Sequence, residues 1–288
     1  MDIKVIDYHS PQASSAFAAS LRETGFAVLE NHPVGFETVE RLWSEWLAFF
    51  KSERKWEFVY GEGEQAGYRP LSGSETAVGA TVKDIKEYFH LYPWGRNPSP
   101  EDEVALELFH TGSALAATLL GWVERETPVE VRSTFATPLP KMLENSERTL
   151  LRILHYPPLD GSEPEGALRA AAHEDINLLT VLPSANEPGL QVLDRTGRWH
   201  DVPCDPGTIV VNCGDMLELV SGGYYPSTTH RVLNPTGEAA KRSRVSTPLF
   251  LHPQDDVELR PGFTALDFLD ERVKQTTGQG LQRKNPAA

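Results

Sequence analysis

Ala170-Ala171-Ala172-His173-Glu174-Asp175-Ile176-Asn177-Leu178-Leu179-Thr180-Val181-Leu182 is the stretch on which the reading of this chain turns. On an extended backbone, side chains two apart leave by the same face, so His173 and Asp175 converge on one point while Glu174 faces away. A neutral imidazole and a carboxylate both suit a divalent first-row ion, and His230 is the best candidate for a third ligand from a distant strand. A bare His-x-Asp is common by chance, and a lone downstream histidine more often packs or lies at the surface. The surrounding pattern therefore has to decide.

That pattern is β-rich. From Arg148 onward, 149–156, 177–182, 189–193, 199–202, 208–212, 228–233 and 244–251 are short runs of β-branched and apolar residues, punctuated by Pro, Gly, Asp and Asn. Strands at this spacing predict a sandwich or jelly roll, whose two sheets open at one end into a walled mouth where side chains from separate strands meet. The fold class expected is mainly β with flanking helices (α+β) around a double-stranded β-helix core.

Before residue 149 the texture is mostly helical. Helices are expected over 11–24, ended by Gly25; over 36–51, where Val39, Leu42, Trp43, Trp46 and Phe50 share a face; over 100–126, with Ser99 as N-cap and Glu101 and Asp102 in the first turn; and over 128–138. Strands are expected at 26–29 and around 86–92, with glycine-punctuated loops between 52 and 97. Tyr68, Arg69, His90 and Tyr92 in that region are candidate substrate contacts, because loops on a rigid scaffold often carry binding residues. His32 reads as structural. A last helix over 264–277 precedes a frayed tail, 278–288. With no linker in sight, the 288 residues read as one domain: a mostly helical 1–148, a core 149–253, and a C-terminal helix and tail 254–288.

Twenty-seven Lys and Arg against 41 Asp and Glu give a net charge of -14, which argues against a phosphate-tracking surface or a polybasic membrane patch. Cys204 and Cys213 have neither disulfide-framework nor thiolate-zinc spacing. The opening residues lack a secretory pattern and no segment reads as a membrane span, so the cytoplasm is the expected compartment and a small molecule, not nucleic acid or membrane, the expected partner.

Eight motifs then fall in one order: Tyr156-Pro157-Pro158, His173-Glu174-Asp175, Leu178-Leu179-Thr180, Gly189-Leu190-Gln191-Val192, Pro206-Gly207-Thr208, Asn212-Cys213-Gly214-Asp215, His230-Arg231-Val232 and Arg244-Val245-Ser246. Together they resemble the isopenicillin N synthase-like family of Fe(II)- and 2-oxoglutarate-dependent dioxygenases. The likeness is dense from about 150 to 253 and thinner at the amino end, where Gly25-Phe26 through Asn31-His32-Pro33-Val34 is similar to the family's opening motif. It implies that His173, Asp175 and His230 hold Fe(II), that Arg244 and Ser246 bind the distal carboxylate of 2-oxoglutarate, and that Tyr156 donates to the same co-substrate. Two histidines and a carboxylate on one face leave positions open for the co-substrate and O2. The arginine fork suits a carboxylate, and a hydroxyl two residues along a strand points the same way. By spacing alone Arg242 is an alternative to Arg244. Leu154 stands where many plant members have asparagine, and Asn177 stands where they commonly have glycine, a position asparagine tolerates if the backbone is left-handed.

The activity implied is oxidation of a small organic metabolite by hydroxylation, desaturation or ring closure, with release of succinate and CO2. Two alternatives stand beside it. One is an Fe(II) oxidase of the isopenicillin N synthase or aminocyclopropane carboxylate oxidase type, which has the same triad without 2-oxoglutarate. The other is a non-catalytic binding or sensor protein on the same fold, and from the ligands alone zinc could replace iron.

Overall fold

The computed structural model describes residues 1–61, 64–73 and 82–277. Its strands are β1 (Val5–Asp7), β2 (Phe26–Glu30), β3 (Gly67–Arg69), β4 (Glu87–Leu91), β5 (Leu150–Tyr156), β6 (Ala170–His173), β7 (Leu179–Pro183), β8 (Leu190–Leu193), β9 (Trp199–Asp201), β10 (Ile209–Cys213), β11 (His230–Val232), β12 (Arg244–Ser246), β13 (Leu249–Leu251), β14 (Glu258–Arg260) and β15 (Phe263–Thr264). The helices are α1 (Ala13–Thr24), α2 (Phe36–Lys51), α3 (Glu101–Glu126), the single turn α4 (Val129–Arg132), α5 (Asp215–Val220) and α6 (Ala265–Thr277). The tail 278–288 and parts of the 52–97 loops, Gly63 among them, lie outside the described residues.

Among the described residues, two sheets face each other as a jelly roll. The major sheet runs β1-β2-β10-β7-β13-β5-β4-β3, with β12 also paired to β5; the minor sheet runs β6-β11-β8-β9. The half 1–148 thus supplies not only helices but four strands of the major sheet. Strand alternation gives that sheet two unlike faces. Ala27, Val211, Val181, Leu249 and Leu151 stand in register on one face and pack under the helices. Phe26, Asn212, Thr180 and Phe250 stand in the next register row, facing inward between the sheets. Part of the gap is closed by Phe26, Val28 and Val210 against Ala170, Leu190, Val192 and Val232 of the minor sheet.

The helix α3 is long and apolar enough to span a bilayer, but its Val104, Leu108, Leu115, Leu119 and Val123 are buried in the core. It packs against α1 and α2 over the major sheet. At Gly112 a Cβ would come 2.8 Å from Leu249 Cδ2, so the mid-helix glycine permits a close approach to β13 that outweighs its low helix propensity.

Several expectations are corrected. Pro100, not Ser99, occupies the N-cap of α3 and no side chain among the described residues caps it; the acids Glu101, Asp102 and Glu103 remain in the first turn. The helix expected over 128–138 shrinks to α4, one turn without a buried side chain to anchor it. The run 244–251 is two strands, because Pro248 has no N–H for the ladder and Arg152 N instead donates to its carbonyl at 3.0 Å. Strand β6 and helix α5 were not anticipated. Asn177 does not use a left-handed backbone; only Asn31 and Asn145 do among the described non-glycine residues.

Candidate metal and co-substrate site

His173 ends β6 and His230 opens β11, and the two are direct partners in the antiparallel ladder, which brings their ring centroids to 4.4 Å. Asp175 follows two residues after His173. One ligand atom from each of the three lies within 4.8 Å of the others, with His173 Nε2 and His230 Nε2 at 3.9 and 3.7 Å from Asp175 Oδ1. Sequence reasoning therefore placed this triad together, as the fold does.

The donor set could hold a metal. His173 Nδ1 faces the Ala171 carbonyl at 2.8 Å and His230 Nδ1 faces that of Thr228 at 3.1 Å. A carbonyl only accepts, so each Nδ1 carries the proton and each Nε2 keeps a free lone pair. Burial, then the neighbouring His230, pushes His173 down to about 4, so it stays neutral in ordinary buffers although its side chain is 38% exposed toward the mouth. Burial would raise Asp175, but the imidazoles of His230 and His173 and hydrogen bonds from Asn212 and Thr180 outweigh it and hold the carboxyl below its usual range.

Asp175 Oδ2 accepts from Thr180 Oγ1 at 2.6 Å and Asn212 Nδ2 at 2.8 Å, leaving Oδ1 for an ion. The loop is fixed from behind. Asp215 N donates to the Asp175 carbonyl at 2.7 Å and Gly214 N to that of Leu178 at 3.1 Å. At Gly214 a Cβ would fall 2.1 Å from Asn177 O, so any side chain there would push the Asp175 loop away. Asn177 is fully buried and its amide donates to Leu179 O and Thr180 Oγ1, both at 3.0 Å, which replaces the backbone role expected for it. Thr180 and Asn212 were quoted in motifs without an assigned task. The available signal was a lone polar residue in each of two apolar strands. Buried Asp84 was also missed: its Oδ1 accepts from Ala171 N at 2.9 Å and its Oδ2 from Lys86 Nζ at 2.8 Å, bracing β6.

Arg244, Ser246 and Tyr156 come together on the inward side of β12 and β5. Arg244 pairs with Tyr156 and Ser246 with Leu154, while Val245 between them packs under the helices. Arg244 is 3% exposed, and its Nε donates to Glu187 O at 2.9 Å. Its Nη1 is buried without a partner among the described residues, and burial pushes its pKa down. Its guanidinium carbon lies 5.1 Å from the centre of the Tyr156 ring. A carboxylate is the group that such a buried guanidinium with a vacant donor fits. Arg242 points outward and pairs with Glu187 at 2.6 Å, which removes it as the alternative. Leu154 packs with Tyr88 and Tyr156.

A family model described as the 2OG-Fe(II) oxygenase superfamily matches residues 148–253, and the N-terminal model of non-haem dioxygenases in morphine synthesis matches 3–109. A 2-oxoglutarate-Fe(II) type oxidoreductase of Aspergillus fumigatus is 37% identical, over 89% of this chain and 82% of its own. The chain belongs to the 2OG-Fe(II) oxygenase superfamily. A crystallised candidate oxygenase from Shewanella oneidensis is 51% identical to this oxygenase over 96% of it and 98% of that chain, with a TM-score of 0.87. The dioxygenase for auxin oxidation from Arabidopsis thaliana, in its binary complex with 2-oxoglutarate, shares the fold, at 20% identity and a TM-score of 0.70 over 91% of this chain and 96% of that one. The oxygenase is an enzyme that uses Fe(II) and 2-oxoglutarate, and neither the 2-oxoglutarate-independent oxidase nor the binding module is favoured.

The four expected substrate contacts of the oxygenase separate. Tyr68 stands in register with Phe89 on the helix side, packs on Phe50 and Trp56, and gives its hydroxyl to Glu87, so it does not reach the cavity. Arg69 and His90 have the opposite parity. Arg69 lies 4.7 Å over the Tyr60 ring. His90 is stacked between Tyr60 and Tyr88, donates from Nδ1 to Gln65 O at 3.0 Å, and accepts from Arg152 Nε at 2.9 Å. Tyr92 is buried against Trp94, and that burial pushes its hydroxyl up to about 12.

Proposed function

We propose that His173, Asp175 and His230 hold the ferrous ion of this oxygenase, and that Arg244, Ser246 and Tyr156 hold the distal carboxylate of 2-oxoglutarate. The observation that carries this reading is the convergence of three ligand atoms within 4.8 Å, both imidazoles having their other nitrogen committed to a carbonyl. When bound, iron and 2-oxoglutarate supply the oxidising power, through oxidative decarboxylation to succinate and CO2. The chain's own residues do the rest. Thr180 and Asn212 keep Asp175 turned toward the ion, Arg244 orients the co-substrate, and the apolar contacts between the sheets exclude water from one side. The substrate is a small organic molecule approaching over Arg69, His90 and Tyr92. A net charge of -14 supports a small-molecule partner over nucleic acid or a membrane surface, and we place the enzyme in the cytoplasm.

Anaerobic titration of the Fe(II)-loaded protein with 2-oxoglutarate tests the reading: a weak visible charge-transfer band should grow and saturate, and the Asp175→Ala variant should give none. No band in the parent protein, and no succinate with any substrate of a metabolite screen, would reject it.

A further inference from the structure

The residue just before β6 carries a second arginine toward the co-substrate region. Arg169 is fully buried. Its Nη2 donates to the Arg242 carbonyl at 3.1 Å, but its Nε and Nη1 are shut away from water with no hydrogen-bond partner among the described residues. Its guanidinium carbon lies 5.9 Å from the centre of the Tyr156 ring, the same ring that Arg244 approaches to 5.1 Å. Arg244 has its own buried, unpartnered Nη1. Two cations therefore flank one phenol with three nitrogens unanswered, and no carboxylate among the described residues is bonded to either. Glu187, the carboxylate whose charge reaches both, gives its side-chain oxygens to Arg242 at 2.6 and 3.1 Å.

A fold does not keep two like charges out of water without return, since each raises the cost of the other. Burial and then the charge of Arg244 push Arg169 down to about 10. A guanidinium stays protonated in a protein at neutral pH, so the two side chains repel. An anion between them removes the repulsion and fills the vacant donors together. A carboxylate has about four lone-pair sites on two oxygens, enough for two guanidiniums at once.

We propose that Arg169 and Arg244 jointly clasp the distal carboxylate of 2-oxoglutarate, which makes Arg169 a co-substrate-specificity residue in addition to the arginine and serine of β12. The proposal rests on the reading of this pocket as the 2-oxoglutarate site. Its consequence is selection by charge: a 2-oxo acid with no distal carboxylate leaves both cations unanswered.

The test is anaerobic calorimetric titration of the Fe(II)-loaded enzyme with 2-oxoglutarate and with 2-oxovalerate, a five-carbon 2-oxo acid that lacks the second carboxylate. Arg169→Met should weaken 2-oxoglutarate roughly ten- to hundredfold, the range expected for hydrogen bonds to a charged group, and change 2-oxovalerate by less than about twofold. Arg169→Lys should fall between. Without ligand, Arg169→Met should melt no lower than the parent, because it removes an unpaired buried cation. Unchanged 2-oxoglutarate affinity, an equal loss for both acids, or a lower melting point without ligand would each overturn the proposal. If the parent enzyme binds no 2-oxoglutarate, the pocket assignment itself fails, a separate result.

Discussion

The two ends of the proposed site satisfy their polar groups in opposite ways. At the metal end every second donor or acceptor is already answered by protein: Ala171 and Thr228 carbonyls take the imidazole protons, and Thr180 and Asn212 occupy one oxygen of Asp175. At the guanidinium end, buried nitrogens of Arg244 and Arg169 have no partner among the described residues. The metal end is thus organised before anything binds, whereas the other end holds charge that a ligand must answer. Changes at the first should act on iron binding and changes at the second on 2-oxoglutarate binding.

The largest effect expected from breaking this contrast is at Arg244. Arg244→Met should raise the dissociation constant of 2-oxoglutarate by a factor corresponding to about 2 to 5 kcal/mol, the usual cost of removing one member of a buried charge pair, while iron affinity stays within about threefold. Calorimetry with each ligand checks this, and a parallel loss of iron would erase the distinction between the two ends. Next comes Asn212→Ala, which frees Asp175 to rotate. Iron binding should weaken about 10- to 100-fold, as for other residues that orient metal ligands, with 2-oxoglutarate affinity affected only through the metal. Competition with a colorimetric chelator reads the change.

A smaller, graded effect is expected with pH. Burial holds both His173 and His252 near 4, with His230 adding to the first and Arg148 to the second. Each therefore binds fewer protons folded than unfolded between the ordinary 6.5 and about 4. The metal-free protein should have its full stability above pH 6.5 and lose it as pH falls toward 4; the lowered Asp175 continues the loss in stronger acid. Melting curves between about pH 7.5 and 4.5 measure this, and His252→Gln should make the slope shallower. A profile that rises toward acid would contradict the assignment. The smallest effect belongs to Arg242→Ala. Its side chain is largely exposed where it meets Glu187, so the melting temperature and the 2-oxoglutarate affinity should hardly change. A large loss of co-substrate there would shift the anion site outward.

Much of this was legible in the sequence because it depends on local rules. Helical spacing fixed α2 and α3, alternation put His173 beside Asp175 and Arg244 beside Ser246, and the order of the motifs indicated the jelly roll. Other features depend on partners far along the chain. Tyr68 and Arg69 are neighbours, yet pairing with β4 sends one under the helices and the other inward. Arg242 and Arg244 share a spacing, but the first lies before β12 and turns to Glu187. Pro248 divides one apolar run into two strands because β5 beside it needs a ladder partner that proline cannot be. Asn212 and Arg169 meet their partners only when segments distant in the chain come together. The sequence determined which chemistry the chain carries, since ligand type and periodicity are properties of residues and their near neighbours. Tertiary structure decided which of several similar side chains meets it, since register and burial arise only from long-range pairing.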